Sequence, residues 1–483
     1  MLSKRRAFYD LSDQTMFWLF AGLCLAMCLV GIVISNPLPA VIPIGVLFAL
    51  FVINSPKQLF YLFFILLPFS IEIQLGSFGT DLPSEPIMII LMGITLLLIL
   101  TKNKTIPRAT FLHPISLLLL GHLAWIAFTG IFSSDQVVSF KYLLAKLWYV
   151  IPFFILPQLL FKKEVDFRKT FYVLSFSMFV VITYTMVRHA AAGFTFASSN
   201  KVMRPIFRNH VNYAIMLLAF LPYFWYLIRT TTSKLKVPLF GLLTFLLIAI
   251  YFSYTRAAQF SVVLAIAFYW VVKWRLVKVA VGLSFIGLMG IAAFMSTDNK
   301  YLDYAPNYER AIAHTKFDNI LDATAKMEDI STVERFYRWV AGGYMVANKP
   351  LLGYGPATFY FQYRPHTVTS YKTYVSDNPE KSGIHNNYLM IAVEQGIPGL
   401  FIFLGLTFLP LLYVEKLFHK IKDSRDRALV FAAGSCFFLI SVTILINDLL
   451  EADKIGPLYF LSAAIIVYYD VKYKKALPEG QGG

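Results

Sequence analysis

Apolar runs of membrane length recur along this chain from residue 16 to residue 470, and no other feature limits the fold as much. Hydrocarbon offers no water to backbone N–H and C=O groups, so each run of about 20 apolar residues must satisfy them internally, as a helix. A large soluble core is excluded, because successive amphipathic helices would show polar faces and these runs do not. The runs also fail to alternate as the strands of a membrane barrel must. Composition agrees: 58% of residues are hydrophobic, 14% are charged, and mean hydropathy is +0.64, inside the membrane class. The expectation is an all-α, polytopic integral membrane protein.

Spans are expected at 16–35, 39–54, 59–76, 86–101, 112–131, 139–160, 169–187, 210–228, 238–254, 257–272, 278–295, 386–413, 428–447 and 456–470. The runs 39–54, 257–272 and 456–470 are short and leave room for tilted or re-entrant pieces, so about 12 to 14 transmembrane helices are expected. The first run follows Lys4, Arg5 and Arg6; it is long for a secretory leader and lacks a small-residue cleavage site, so it reads as a retained helix. Lys and Arg gather in alternate connections, at 4–6, 57, 102–108, 162–169, 229–236, 273–278, 416–427 and 472–475. That is the positive-inside pattern with both termini cytoplasmic. It accounts for the net charge of +16 without nucleic acid as a partner. Cys24, Cys28 and Cys436 all lie in apolar runs and read as small hydrophobes.

This topology puts one long polar loop outside, between 1–296, the N-terminal transmembrane helices, and 386–471, the C-terminal ones. The loop, 297–385, is basic where an outer segment ought not to be, with Lys300, Arg310, Lys316, Lys326, Arg335, Arg338, Lys349, Arg364, Lys372 and Lys381. Together with Arg188, Lys201, Arg204, Arg208 and Arg256 it invites an anionic ligand on that face. Within it, 324–346 has the spacing of amphipathic helix, and Gly353-Tyr354-Gly355-Pro356 is a turn that ends it. The aromatic stretch that follows, Tyr360 to Tyr374, suits sugar faces and bilayer packing equally. Residues 472–483 form a cytoplasmic tail.

Several residues have the chemistry for a site on that face. Arg256 lies at a near break between two apolar runs, where a guanidinium needs a partner and its fork of donors fits phosphate oxygens. A snorkelling or ion-paired arginine is the plain alternative. Arg208 and His210 open another run and can face one cavity; an ordinary helix cap explains them as well. Arg335 and Arg338, three apart on the loop helix, share a face that can clamp a diphosphate, or else form a solvated charge face with Glu334. His385, at the mouth of the span beginning at 386, has the reference pKa to accept a proton from a sugar hydroxyl, although an isolated helix-mouth histidine is often structural. No metal is implied: there is no HExxH motif, no paired cysteines and no close carboxylate cluster, Asp298, Asp303, Asp318, Asp322 and Asp329 being scattered. No GxxxxGK[ST] loop supports ATP-driven transport.

Arg335 with Trp339 four residues on, Asn348-Lys349-Pro350-Leu351-Leu352-Gly353-Tyr354-Gly355, Thr358-Phe359, His385-Asn386-Asn387-Tyr388-Leu389 and Glu394-Gln395-Gly396-Ile397-Pro398-Gly399 stand in that order. This ordered set resembles the signature of the O-antigen ligase and O-antigen polymerase superfamily. The resemblance implies a glycosyltransferase of the bacterial inner membrane whose active site faces the periplasm, using a glycan on undecaprenyl diphosphate and needing neither metal nor other cofactor. It implies His385 as base or acceptor-positioning residue, and Arg335 and Arg256 as diphosphate ligands. Arg338 joins them from its shared face, and Arg208 is a looser match. Asn386, Asn387, Gly353, Gly355 and Glu394 fall in supporting positions. Family members commonly have about 12 spans.

The expected reaction is attack of an acceptor hydroxyl on the anomeric carbon while His385 takes its proton and arginines offset charge on the departing diphosphate, with inversion at that carbon. No carboxylate pair is evident for a glycosyl-enzyme intermediate. Transfer to a lipid A core leads as the acceptor reading. A repeat-unit or exopolysaccharide polymerase, a protein O-oligosaccharyltransferase, and a polysaccharide transporter of a different class remain alternatives. Membrane lipids are the other expected partners.

Overall fold

The computed structural model describes residues 55–75, 78–102, 104–297, 330–367 and 383–475, with Gly22, Ala26, Met27 and Val30 of the first apolar run. The expected spans 16–35 and 39–54, the loop portions 298–329 and 368–382, and the tail from 476 lie outside them. By internal contacts the chain divides into two units, 1–62 and 63–483. Of the first, the structure describes chiefly the opening of one helix; all that follows concerns the second.

We label the longer helices in chain order. Helix α1 is Pro56–Leu66, followed by strands β1, Ile71–Leu75, and β2, Phe78–Leu82. Next come α2, Ser84–Leu100; α3, Pro114–Ile131; α4, Gln136–Val150; α5, Glu164–Ala191; α6, His210–Thr230; α7, Ser233–Phe252; α8, Arg256–Lys273; and α9, Val277–Ser296. The loop contains α10, Ile330–Asn348, and the chain ends with α11, Asn387–Lys420; α12, Ser424–Thr443; and α13, Gly456–Lys475. Among the described residues eight helices are long and apolar enough to cross a membrane: α3, α4 with its extension to Leu160, α5, α6, α7, α8, α11 and α12. Shorter apolar helices begin at Pro56, Ser84 and Val277. This is a multi-pass helical membrane protein.

The expected helix over 59–76 stops early. Ile71–Leu75 pairs antiparallel with Phe78–Leu82, Glu72 opposite Asp81, because Ile71-Glu72-Ile73-Gln74-Leu75 alternates apolar and polar with the period of a strand. Pro152 cannot donate to the preceding turn, and α4 continues past it through a wide five-residue turn, Ile151–Ile155. Helices α6 and α12 form the centre: 78% and 72% of their apolar windows are buried, against 22% for α7 and α8 at the lipid-facing side. Buried tyrosines in α6 keep partners, as a phenol in hydrocarbon must: Tyr213 accepts from Thr185 at 2.9 Å and Tyr223 bonds Ser462 at 2.7 Å.

Candidate functional site

The site is assembled where the loop meets α11. Asn386 caps that helix, its Oδ1 accepting the Leu389 N–H at 3.0 Å. Asn387 is buried and ties the cap to the α12–α13 connection. Its N–H donates to the Ile444 carbonyl at 2.9 Å, its Oδ1 accepts the Leu449 N–H at 3.2 Å, and its Nδ2 reaches Glu451 at 3.3 Å. His385, just before the cap, has φ +57° and is half-buried. Its N–H donates to Asp448 Oδ2 at 2.6 Å.

Two loop arginines approach this histidine from α10. Burial, then the charges of Arg338 and Arg335, push the His385 imidazole down to about 3, so the ring is neutral at ambient pH. Arg338 is buried and donates to the Gly383 carbonyl at 3.1 Å, while Trp339 donates to the Ile384 carbonyl at 3.1 Å. Arg338 Nε has no hydrogen-bond partner among the described residues. Arg335 also acts electrostatically on His210, whose carbonyl accepts from Thr255 at 3.4 Å. Arg256 is the next residue, the first of α8, and is half-buried. Thus His385, Arg335, Arg338 and the start of α8 gather around one corner.

Arg208 is not among the charges that act on His385; it forms a bidentate pair with Glu72 of β1 at 2.6 and 2.7 Å. An anionic ligand there would have to displace a carboxylate.

The glycine turn and the α11 motif, far apart in sequence, are two halves of one joint. Tyr354 N–H donates to the Val393 carbonyl at 3.0 Å and Gly355 N–H to the Glu394 carbonyl at 2.8 Å. Buried Glu394 accepts the Ala357 and Phe359 N–H groups at 2.8 and 3.1 Å. Gly396 (φ +73°) kinks α11 so that the Ile397 N–H meets the Pro350 carbonyl at 2.8 Å. A Cβ on Gly396 would stand 2.1 Å from the Leu351 carbonyl oxygen. Gly353 fits equally closely, its added Cβ falling 2.4 Å from the Glu394 backbone. These residues join the end of α10 to α11.

Acidic side chains do gather on one cavity, although not, among the described residues, with the convergence of metal ligands. Glu72, Asp81, Glu85, Asp448, Glu451 and Asp453 line one cavity of about 770 Å³ beside His385, with Arg204, Arg208 and Lys454 as the lining cations among the described residues. Two distant chain segments, 72–85 and 448–453, deliver these acids, so their meeting on one cavity is not visible in a linear reading. Burial, with the Asp453 charge, raises the Asp81 carboxyl to about 6. The positive-inside topology sets Asp81, Glu85, Asp448, Glu451 and Asp453 on the same outer side as the loop; Lys300, Arg310, Lys316 and Lys326 fall outside the described residues. Behind the cavity Glu451 takes Lys146 at 2.5 Å and Tyr142 at 2.9 Å. Lys146, one of two lysines in an apolar run with Lys141, is the sequence signal that could have pointed to this pair. No three His, Cys, Asp or Glu side chains converge as metal ligands among the described residues.

Fold and site together define a polytopic helical membrane protein with a polar site at one end of the bundle, where a loop helix is docked. Residues 240–404 match the family model described as O-antigen ligase. The match supports placement in the O-antigen ligase superfamily and an O-antigen ligase- or polymerase-type function. It contains Arg256, Arg335, Arg338, His385 and the α10–α11 joint; Arg208 and Asp448 lie beyond it. No match was found among curated proteins.

Proposed function

We propose that this protein is a glycosyltransferase of the bacterial inner membrane that moves a glycan from undecaprenyl diphosphate to a hydroxyl acceptor at the His385 corner, on the periplasmic face. The observation that carries the reading is the convergence of Arg335 and Arg338 on His385, within the segment that matches the family model. The diphosphate lies against Arg335 and Arg338, with Arg256 at the start of α8. Neutral His385 accepts the proton of the attacking hydroxyl as the new glycosidic bond forms. The bond between the anomeric carbon and the diphosphate oxygen breaks with its electrons leaving on undecaprenyl diphosphate, and the carbon inverts. A bound diphosphate screens both guanidiniums, so donor binding itself raises the basicity of His385. The acid-lined cavity suits the acceptor, because carboxylates accept hydrogen bonds from sugar hydroxyls and repel a second phosphate. No metal or other cofactor takes part.

We take the acceptor to be a lipid A core. Polymerisation of lipid-linked units and glycosylation of protein use the same proton and phosphate chemistry. A deletion strain separates them. The ligase reading expects complete polyprenyl-linked chains to accumulate beside bare lipid A core. Single repeat units mark a polymerase, and loss of glycan from protein alone marks the protein-modifying reaction.

A further inference from the structure

At the end of the bundle opposite His385, α8, α9 and α11 enclose a cavity of about 480 Å³ lined by Arg275, Lys278, Lys416 and His419. Lys416 is held by Asp470 at 2.9 Å, and Glu415 is turned to the start of α9, where Oε2 accepts the Val277 N–H at 2.9 Å. Arg275 and Lys278 are exposed, and neither joins an ion pair among the described residues. Arg275 has φ +61°, in the turn that carries the chain from α8 into α9.

An apolar groove of about 610 Å³ between α8, α9, α11 and α12 begins where this basic cavity ends. Val271, Val277 and Leu411 line the groove, and Arg275, Lys278 and Leu412 line the cavity, on the same helices and within one turn. Trp270 and Trp274 are exposed beside it, and Lys273 lies 4.6 Å from the Trp270 ring. Indole rings favour headgroup depth, which sets the basic cavity at the membrane surface and the groove in the hydrocarbon.

We propose that cavity and groove together bind one anionic phospholipid, its phosphate between Arg275 and Lys278 and its acyl chains along α9 and α11. Two unpaired cations favour a headgroup with net negative charge; a zwitterionic lipid would bring a cation of its own to them. A free phosphate would fill the cavity and leave the groove unused. The basic cavity lies at the end of the bundle away from the proposed transfer chemistry, while the far end of the groove, lined by Asn386, Tyr388 and Leu389, comes up to the His385 corner; the phosphate site itself does not depend on that chemistry.

The test is lipid retention by the purified full-length protein, measured by native mass spectrometry after exchange into nanodiscs of phosphatidylcholine containing graded phosphatidylglycerol. The protein should retain phosphatidylglycerol selectively. Arg275→Gln with Lys278→Gln should weaken that retention about thirtyfold, the effect of removing two basic residues near a charged headgroup. Lys422→Gln with Arg425→Gln, exposed at the same end but outside the cavity, should retain it as wild type does. Ala280→Phe, which fills the groove, should weaken phosphatidylglycerol retention and leave binding of inorganic phosphate unchanged. Equal retention of phosphatidylcholine, wild-type retention by the Arg275/Lys278 variant, equal loss in the Lys422/Arg425 control, or displacement of the lipid by an equal concentration of inorganic phosphate would each overturn the proposal.

Discussion

The backbone N–H of His385 is held by Asp448 Oδ2 at 2.6 Å, and that same oxygen lies 2.3 Å from where a Cβ on Gly383 would stand. One carboxylate from the α12–α13 connection therefore fixes the peptide that carries the proposed base, and only a glycine two residues earlier leaves it room.

Asp448→Asn should keep the shape of this contact and lose its charge assistance, worth about 1.5 to 3 kcal/mol. Turnover at pH 7.5 should fall about ten- to hundredfold with donor binding retained. Burial raises the Asp448 carboxyl to about 6, with the His385 and Asn386 N–H groups opposing, Glu451 adding and Arg338 opposing. The carboxylate is thus charged above about pH 6 and neutral below it, whereas His385 at about 3 does not titrate in that range. Wild-type turnover should fall as pH drops through about 6, and the variant should lack that limb. The same limb in both would assign it elsewhere.

Gly355 has φ +108°, and a Cβ there would stand 1.9 Å from Ser133 Oγ and 2.7 Å from Ser133 Cα. Gly355→Ala should destabilise the joint by about 3 kcal/mol or more through strain and overlap. Gly343→Ala, on α10 with nothing within 4 Å of its added Cβ, should gain up to about 1 kcal/mol of helix propensity. Thermal melts in detergent should move in opposite directions.

Lys146 is buried in α4 and pairs with Glu451, whose side chain keeps 28% exposure. Burial acts to raise the Glu451 carboxyl, but Lys146, Tyr142 and Asn387 hold it below its usual range. Lys146→Met should cost about 2 to 3 kcal/mol, discounted from a fully buried pair for that exposure. Lys146→Met with Glu451→Gln should recover part of it, and equal melting of single and double variants would show the pair to be idle.

Sidedness is open to labelling. Leu351 is 69% exposed in the α10–α11 joint, and Lys422 is exposed at the other end of α11. Leu351→Cys should react with an impermeant thiol reagent in intact cells, and Lys422→Cys only after permeabilisation. The reverse pattern would remove the donor site from the periplasm.

Much of this molecule can be read from its sequence because hydrocarbon leaves the backbone few choices. The expected spans 210–228, 257–272 and 278–295 lie within a few residues of α6, α8 and α9, since long apolar runs end at caps such as Asn209 or at Arg275, where the chain turns. The hairpin 71–82 was hidden by counting apolar residues instead of their period. His385, Arg335 and Arg338 were visible because each sits in a compact local motif. The topology sets Asp448 and Glu451 on the outer side but does not show their partners: His385 and Asp448 are 63 residues apart and Lys146 and Glu451 are 305 apart, and only the packing of α4, α11 and α12 brings them together.

The central claim is that His385 takes a proton at a diphosphate held by loop arginines. The direct measurement is transfer from a polyprenyl diphosphate-linked glycan by purified protein in excess chelator, with donor binding measured on the same samples. His385→Ala should abolish turnover and bind donor as wild type does, while Arg335→Gln should weaken donor binding by about 1.5 to 3 kcal/mol. A folded His385→Ala protein that turns over at near the wild-type rate, or unchanged donor binding by Arg335→Gln, would contradict the account.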